Sequence, residues 1–240
     1  LGYATAGLLD ACTSYGTRLL WPFSDIRVAW NIVSVIDPFF TVTILILIAI
    51  GFAKRLALSS RIACVFAVLY LLFGALQNDR ATQSLVHLAL ERGHEAAERF
   101  TVKPTIGNLA LWRGIYEYEG RFYVDAIRVG YLGFETKVYE GESIDKVDLD
   151  LLKGELSQDS VLSRDLDRFA LFSDGYLSWH PNRSNVIADA RYSLLPTSTM
   201  PLWGIEFDAS AEDRHAAFVN FRKADKAGIS QLWKMILGKD

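Results

Sequence analysis

The chain has 240 residues and a formal net charge of -3, which leaves no basic footprint for a nucleic-acid partner. Hydrophobic residues make up 51% of it and are concentrated before position 78. A soluble domain spreads its apolar residues by periodicity, whereas a membrane protein packs them into long runs, so the asymmetry points to a membrane protein.

Residues 1–16 read as a helix of small and apolar residues ended by Gly16, with Asp10 inside it between Leu9 and Ala11. Leu1 already lies in an apolar stretch, so the natural N-terminus is expected further upstream. No secretory signal peptide is recognisable. From Thr17 to Trp30 the chain is irregular, broken by Pro22. Trp21, Phe23 and Trp30 suit a membrane–water interface, where aromatic rings satisfy both phases.

Asp37-Pro38 is a helix start, with Asp as N-cap and Pro at the first helical position. Pro38 to Ala53 carries no charge, and Lys54-Arg55 closes the run. Ile62 to Gln77 is a second uncharged run of similar length. The economical reading is two spans, about 38–55 and 60–77, joined by a short basic turn holding Lys54, Arg55 and Arg61. The alternative is a buried helical hairpin in a soluble protein. By the positive-inside rule the basic turn is cytoplasmic, and everything after residue 78 lies across the membrane. Residues 1–77 thus read as a membrane domain and 78–240 as a soluble one.

Residues 79–100 read as an amphipathic helix leaving the membrane. Residues 111–130 alternate apolar and polar side chains around Glu119-Gly120, a hairpin signal. Residues 145–172 return to helical spacing, with Leu149, Leu152, Leu156, Leu166 and Phe169 as core candidates. Strands are expected in 175–180, 185–195 and 201–208, and a closing helix over 228–237. The fold class is a membrane protein with two to three transmembrane or membrane-associated helices followed by a soluble α+β domain.

Asp10 and Asp37 are the carboxylates set in or against apolar runs, whereas Asp25 lies in a more polar stretch. An ionisable group in hydrocarbon is costly and marks a site unless something local satisfies it. An interfacial N-cap satisfies Asp37, and a hydrogen-bonded structural role remains open for Asp10. Ala6 lies one turn from Asp10 on the same helix face. His87 and His94, seven apart near Glu91 and Glu95, are metal-ligand candidates weighed against a solvated helix face. His180, His215 and Asp189 also fall in the later domain. Ser173-Asp174-Gly175 and Asn182-Arg183-Ser184 read as turns. Cys12 and Cys64 read as buried reduced thiols.

The stretches "LLDACTSYGTRLLWPFSD" and "AWNIVSVIDPFFT" resemble the YdjM-like bacterial inner-membrane proteins, a family of predicted membrane-bound metal-dependent hydrolases. Segments 103–130 and 190–207 are similar to the long members. Such proteins carry an upstream His-Arg-x-x-Thr-His-Ser segment, then His-x-x-x-Asp in a helix, then Asp-Pro. The first is absent from this sequence, the second is present only as Ala6 and Asp10, and Asp37-Pro38 matches the third. The resemblance implies a divalent metal such as zinc, activating water near the bilayer interface. Asp10 would be a catalytic ligand and Asp37 a ligand or its orienter. Trp21, Phe23 and Trp30 would shape entry for an amphiphilic substrate. The competing expectation is a non-catalytic, membrane-anchored extracytoplasmic binding protein; a small transporter is a third.

Overall fold

A computed structural model describes residues 2–131, 133, 135–157, 159–222 and 226–239. The chain divides into two compact units. The first comprises 1–88, 101–114 and 127–138, and the second 89–100, 115–126 and 139–240.

In the first unit, α1 (Gly2–Ala11), α2 (Pro38–Lys54) and most of α3 (Ala57–Glu91) supply the helices. The helix expected to reach Gly16 ends five residues earlier. The carbonyls of Ala11 and of the residue after the helix are taken by a returning segment: Trp30 donates to Ala11 O at 2.7 Å, and Ile32 to Cys12 O at 2.8 Å. A tertiary partner therefore replaces the next helical turn. That segment crosses close to α3 at Gly74, where a Cβ would come within 2.6 Å of the Ile32 carbonyl oxygen.

The two uncharged runs are helical. The 17 residues of α2 extend about 25 Å, and the 35 of α3 about 52 Å. The latter is long and apolar enough to cross a membrane. Its side chains Val65, Val68, Leu69 and Leu72 are exposed, as are Phe39, Val42, Leu45 and Phe52 of α2. A hairpin buried in the chain's own core would cover these residues, and here they are exposed. Cys64 lies on the same exposed surface of α3 and is not the buried thiol expected, whereas Cys12 is buried.

Beyond the apolar run, α3 continues as a polar clamp. Gln77, fully buried, donates to the carbonyls of Leu109 and Gly130 at 3.2 and 3.3 Å. Asn78 donates to Asn31 O and Val102 O, and Arg80 reaches Gly130 and Gly133. Buried Lys103 donates to Ser14 O and Asn31 Oδ1, both at 3.1 Å. These bonds satisfy backbone carbonyls that no strand or helix partner reaches.

The helix expected over 79–100 stops at Glu91. Gly93 adopts a left-handed φ of 76°. His94 N–H bonds back to Ala89 O, and Gly93 N–H to Leu90 O. This is a Schellman cap, which Gly accommodates without the Cβ penalty. The next residues start β1 (Glu98–Pro104), followed by β2 (Leu111–Tyr118) and β3 (Arg121–Val129). The expected hairpin is present, its two-residue turn at Glu119-Gly120 having positive φ at both positions, as the strand twist requires. With β4 (Thr136–Tyr139) on the path and β5 (Ser143–Asp145) paired antiparallel to β3, these form a five-stranded sheet.

The helical stretch expected over 145–172 is two helices. They are α4 (Leu149–Gly154), capped by Asp148, and α5 (Val161–Phe172), capped by Ser160. The second cap restarts the helix and breaks a continuous one. A second, antiparallel sheet follows in the order β6 (Leu177–His180), β7 (Arg183–Asp189), β8 (Trp203–Glu206), β9 (Phe218–Asn220). Leu152, Leu156, Leu166 and Phe169 pack against Ile187 and Trp203 in one core, with Leu149 at its edge. The closing helix is α6 (Lys226–Ile236).

Candidate functional site

Asp37 is buried at the start of α2 and engaged through both carboxylate oxygens. Its extended backbone (φ -121°, ψ 96°) places the side chain over the first turn of α2, where Oδ1 accepts from Phe40 N–H at 3.0 Å. Oδ2 accepts from the Tyr70 hydroxyl of α3 at 2.7 Å. The residue is only 3% exposed. Phe39, Phe40, Phe66 and Tyr70 pack around this pair with ring centroids 5.3–6.3 Å apart. A carboxylate at a helix N-terminus also lies at the positive end of the helix dipole. The arrangement ties α2 to α3, and both carboxylate oxygens have a donor inside the fold.

Asp10 is exposed on α1, and Ala6, one turn before it, is exposed too. Its backbone carbonyl accepts from the Thr13 amide and hydroxyl, at 2.9 and 2.7 Å. Among the described residues, no three His, Cys, Asp or Glu side chains come together as a group able to hold a metal ion. A methyl group stands where a histidine ligand is expected, and Asp37 is engaged structurally. The described residues therefore do not fit the divalent metal that the resemblance implies. Trp21, Phe23 and Trp30 are exposed, as an interfacial belt requires, and Asp25 pairs with Arg18 at 3.2 Å.

Residues 1–81 match the family model of the YdjM inner membrane protein. The YdjM match holds Asp10, Asp37-Pro38, the interfacial aromatics and both uncharged runs, and it ends inside α3. It does not extend to 103–130 or 190–207. No curated protein and no solved structure matches the chain. The chemistry of the residues after the YdjM segment therefore rests on their own geometry.

There the structure joins groups that sequence reasoning did not pair. Asp125, 1% exposed, receives a two-pronged bond from Arg92 at 2.7 and 2.8 Å and a third from Gly141 N–H. Hydrogen bonding to this carboxylate holds the Arg92 guanidinium charged even more firmly than usual. Tyr116 accepts from Arg92 and lies 2.8 Å from Nδ1 of His94. Burial pushes the Tyr116 phenol up, against the opposing pull of Arg92. The His94 ring stacks on Tyr118 at 4.2 Å. His94 therefore follows the helix end, inside an aromatic cluster, and does not share a helix face with His87 as the seven-residue spacing predicted.

The other candidates are also structural. Asp189, fully buried, forms a paired bond with Arg191, and His215 lies 2.8 Å from Asp165. Ser173-Asp174-Gly175 is a turn as expected, whereas Arg183 and Ser184 already belong to β7. A cleft of about 540 Å³ is lined by Arg99, Glu117, Lys146 and Asp148, among others. Glu117 there pairs with Lys146 and lies 3.6 Å from Arg99. Val147, Leu149, Ala170 and Leu177 also line the cleft, so charged and apolar groups share it.

His180 is buried; its Nδ1 accepts from Asn182 N–H and its ring lies 4.4 Å from that of Phe221. Burial, and then the charge of Arg183, depress its basicity. Above its unfolded pKa of about 6.5 the ring is neutral in both states and contributes no pH dependence. As the pH falls through that value the unfolded chain takes up the proton first, and stability is lost until the folded ring also titrates. His180→Phe is therefore expected to lose less stability than the unaltered protein between about pH 7 and pH 5. Equal slopes in thermal melts across that range would refute this assignment.

Proposed function

We propose that this protein is a membrane-anchored binding protein of the inner membrane. On this reading residues 1–77 are its membrane domain, with α2 and α3 as a two-helix anchor, and 78–240 are its soluble, ligand-binding domain. The basic turn at Lys54, Arg55 and Arg61 faces the cytoplasm, which places the soluble domain outside it. The observation that carries the reading is the engagement of Asp37. Its carboxylate caps α2 and accepts from Tyr70, so it serves the anchor. The mixed charged and apolar cleft around Glu117 is the binding surface this reading favours.

The second reading is a membrane-bound metal-dependent hydrolase acting on an amphiphilic substrate. It is favoured by the presence of Asp10 and Asp37-Pro38 inside the matched segment. Asp10 and Asp37 would be its catalytic and metal-ligating residues.

Metal analysis of the detergent-purified protein separates the two. The anchor reading expects no stoichiometric divalent metal, and the same trace content in Asp10→Ala. Because Asp10 is exposed on α1, that variant is expected to fold. About one zinc or other divalent ion per chain, lost in Asp10→Ala, would overturn the binding-protein reading in favour of the hydrolase. A C-terminal reporter active only in the cytoplasm tests the orientation, which its activity would reverse.

A further inference from the structure

The closing helix carries more apolar surface than its own unit covers. Gly228 and Met235 are buried and Leu232 is half-buried, the inward stripe expected of an amphipathic helix. About 100° further round, Ile229, Trp233 and Leu237 form a second stripe at i, i+4 and i+8. These residues are 42%, 59% and 60% exposed. The polar residues Ser230, Gln231 and Lys234 line a cleft of about 590 Å³ with Tyr139, Glu140 and Thr197. The helix thus has an apolar inward stripe, a polar side open at the cleft, and a second apolar stripe that its own unit leaves exposed.

Between Asp225 and Asp240 the charged residues are Lys226, Lys234 and Lys239. All three are exposed; Lys234 and Lys239 line the cleft, and Lys226 lies two turns before Trp233 on the side of the apolar stripe. A tryptophan at the centre of an exposed apolar stripe, with a lysine at one end able to extend its head beyond it, is the composition of a helix lying in a lipid headgroup layer. Anionic headgroups add electrostatic attraction to the burial of the stripe.

We infer that α6 is an interfacial helix that inserts Ile229, Trp233 and Leu237 into an anionic lipid surface. The inference rests on the protein being membrane-anchored. The anchor makes this second contact effectively intramolecular, so a stripe of three side chains suffices.

The test uses the full chain in nanodiscs of phosphatidylglycerol and of phosphatidylcholine. Cys12 and Cys64 are replaced by Ser, and single spin labels are placed at 229, 230, 233 and 237. A label at Leu69 in α3 serves as control. In phosphatidylglycerol, labels at 229, 233 and 237 should collide several-fold more with oxygen, relative to a water-soluble nickel reagent, than the label at 230. The contrast should shrink in phosphatidylcholine. Water-like accessibility at all three positions would overturn the inference, provided the Leu69 label is lipid-exposed. Spin–spin broadening would assign the stripe to a second copy, and shielding from both reagents would assign it to protein packing; either overturns it. A water-exposed Leu69 label would instead refute the anchor itself.

Discussion

Asp37→Ala should lower the stability of the detergent-solubilised protein by about 2–3 kcal/mol, read as a fall in the thermal midpoint, whereas Asp37→Asn should lose much less. Removing an N-cap side chain costs about 1 kcal/mol. Leaving the Tyr70 hydroxyl without its acceptor in a buried site adds about 1–2 kcal/mol. Asparagine keeps an oxygen for Phe40 N–H, and its amide nitrogen can donate to the Tyr70 hydroxyl in place of the original bond. Tyr70→Phe is the complementary change. It leaves one carboxylate oxygen without its donor and should also destabilise, by about 1–3 kcal/mol. The effects of Asp37→Ala and Tyr70→Phe should then be less than additive, because both remove the same bond. An Asp37→Ala variant as stable as the unaltered protein would remove the structural role that supports the anchor reading.

Arg92→Met should cost about 3 kcal/mol, because breaking a buried pair leaves an uncompensated charge. Asp125 would keep only the Gly141 N–H of its three donors, at a position 1% exposed. Arg92 itself is partly exposed at 22%, which places the effect at the lower end of the range for buried pairs. Methionine retains much of the apolar stem, so the loss reports the charge more than the packing. The double variant Arg92→Met/Asp125→Asn should recover part of the loss, since a neutral amide needs no counter-ion. If the double variant were as unstable as the sum of the two single changes, the pair would not be the source of the effect.

Local signals were legible wherever the physics is local. The uncharged runs, the Asp37-Pro38 helix start and the Glu119-Gly120 turn each depend on residues a few positions apart. All three appear as helices or as a hairpin at the expected places. The Gly93 stop is also local, the glycine after "LER", and it overrides the mixed-charge pattern that predicts a helix to residue 100. The end of α1 at Ala11 is only partly local: Cys12 and Thr13 take the carbonyls of Leu8, Leu9 and Asp10, but the donor to Ala11 O is Trp30. The pairing of Arg92 with Asp125, 33 positions apart, was out of reach.

The sequence by itself determined the long apolar helix, the similarity of its first third to the YdjM inner membrane protein family and the positions of the two aspartates set in or against apolar runs. Hydropathy, capping and turn chemistry are properties of short windows, so they can be read without a fold. Only the tertiary structure decided what those aspartates do. Asp37 meets a hydroxyl 33 residues away, while Asp10 stays on an exposed face beside Ala6. The same holds for α6, whose spacing announces an amphipathic helix but not which part of its apolar arc the core will cover. Partner choice across tens of residues is set by chain closure and packing together, and neither is written in any single window.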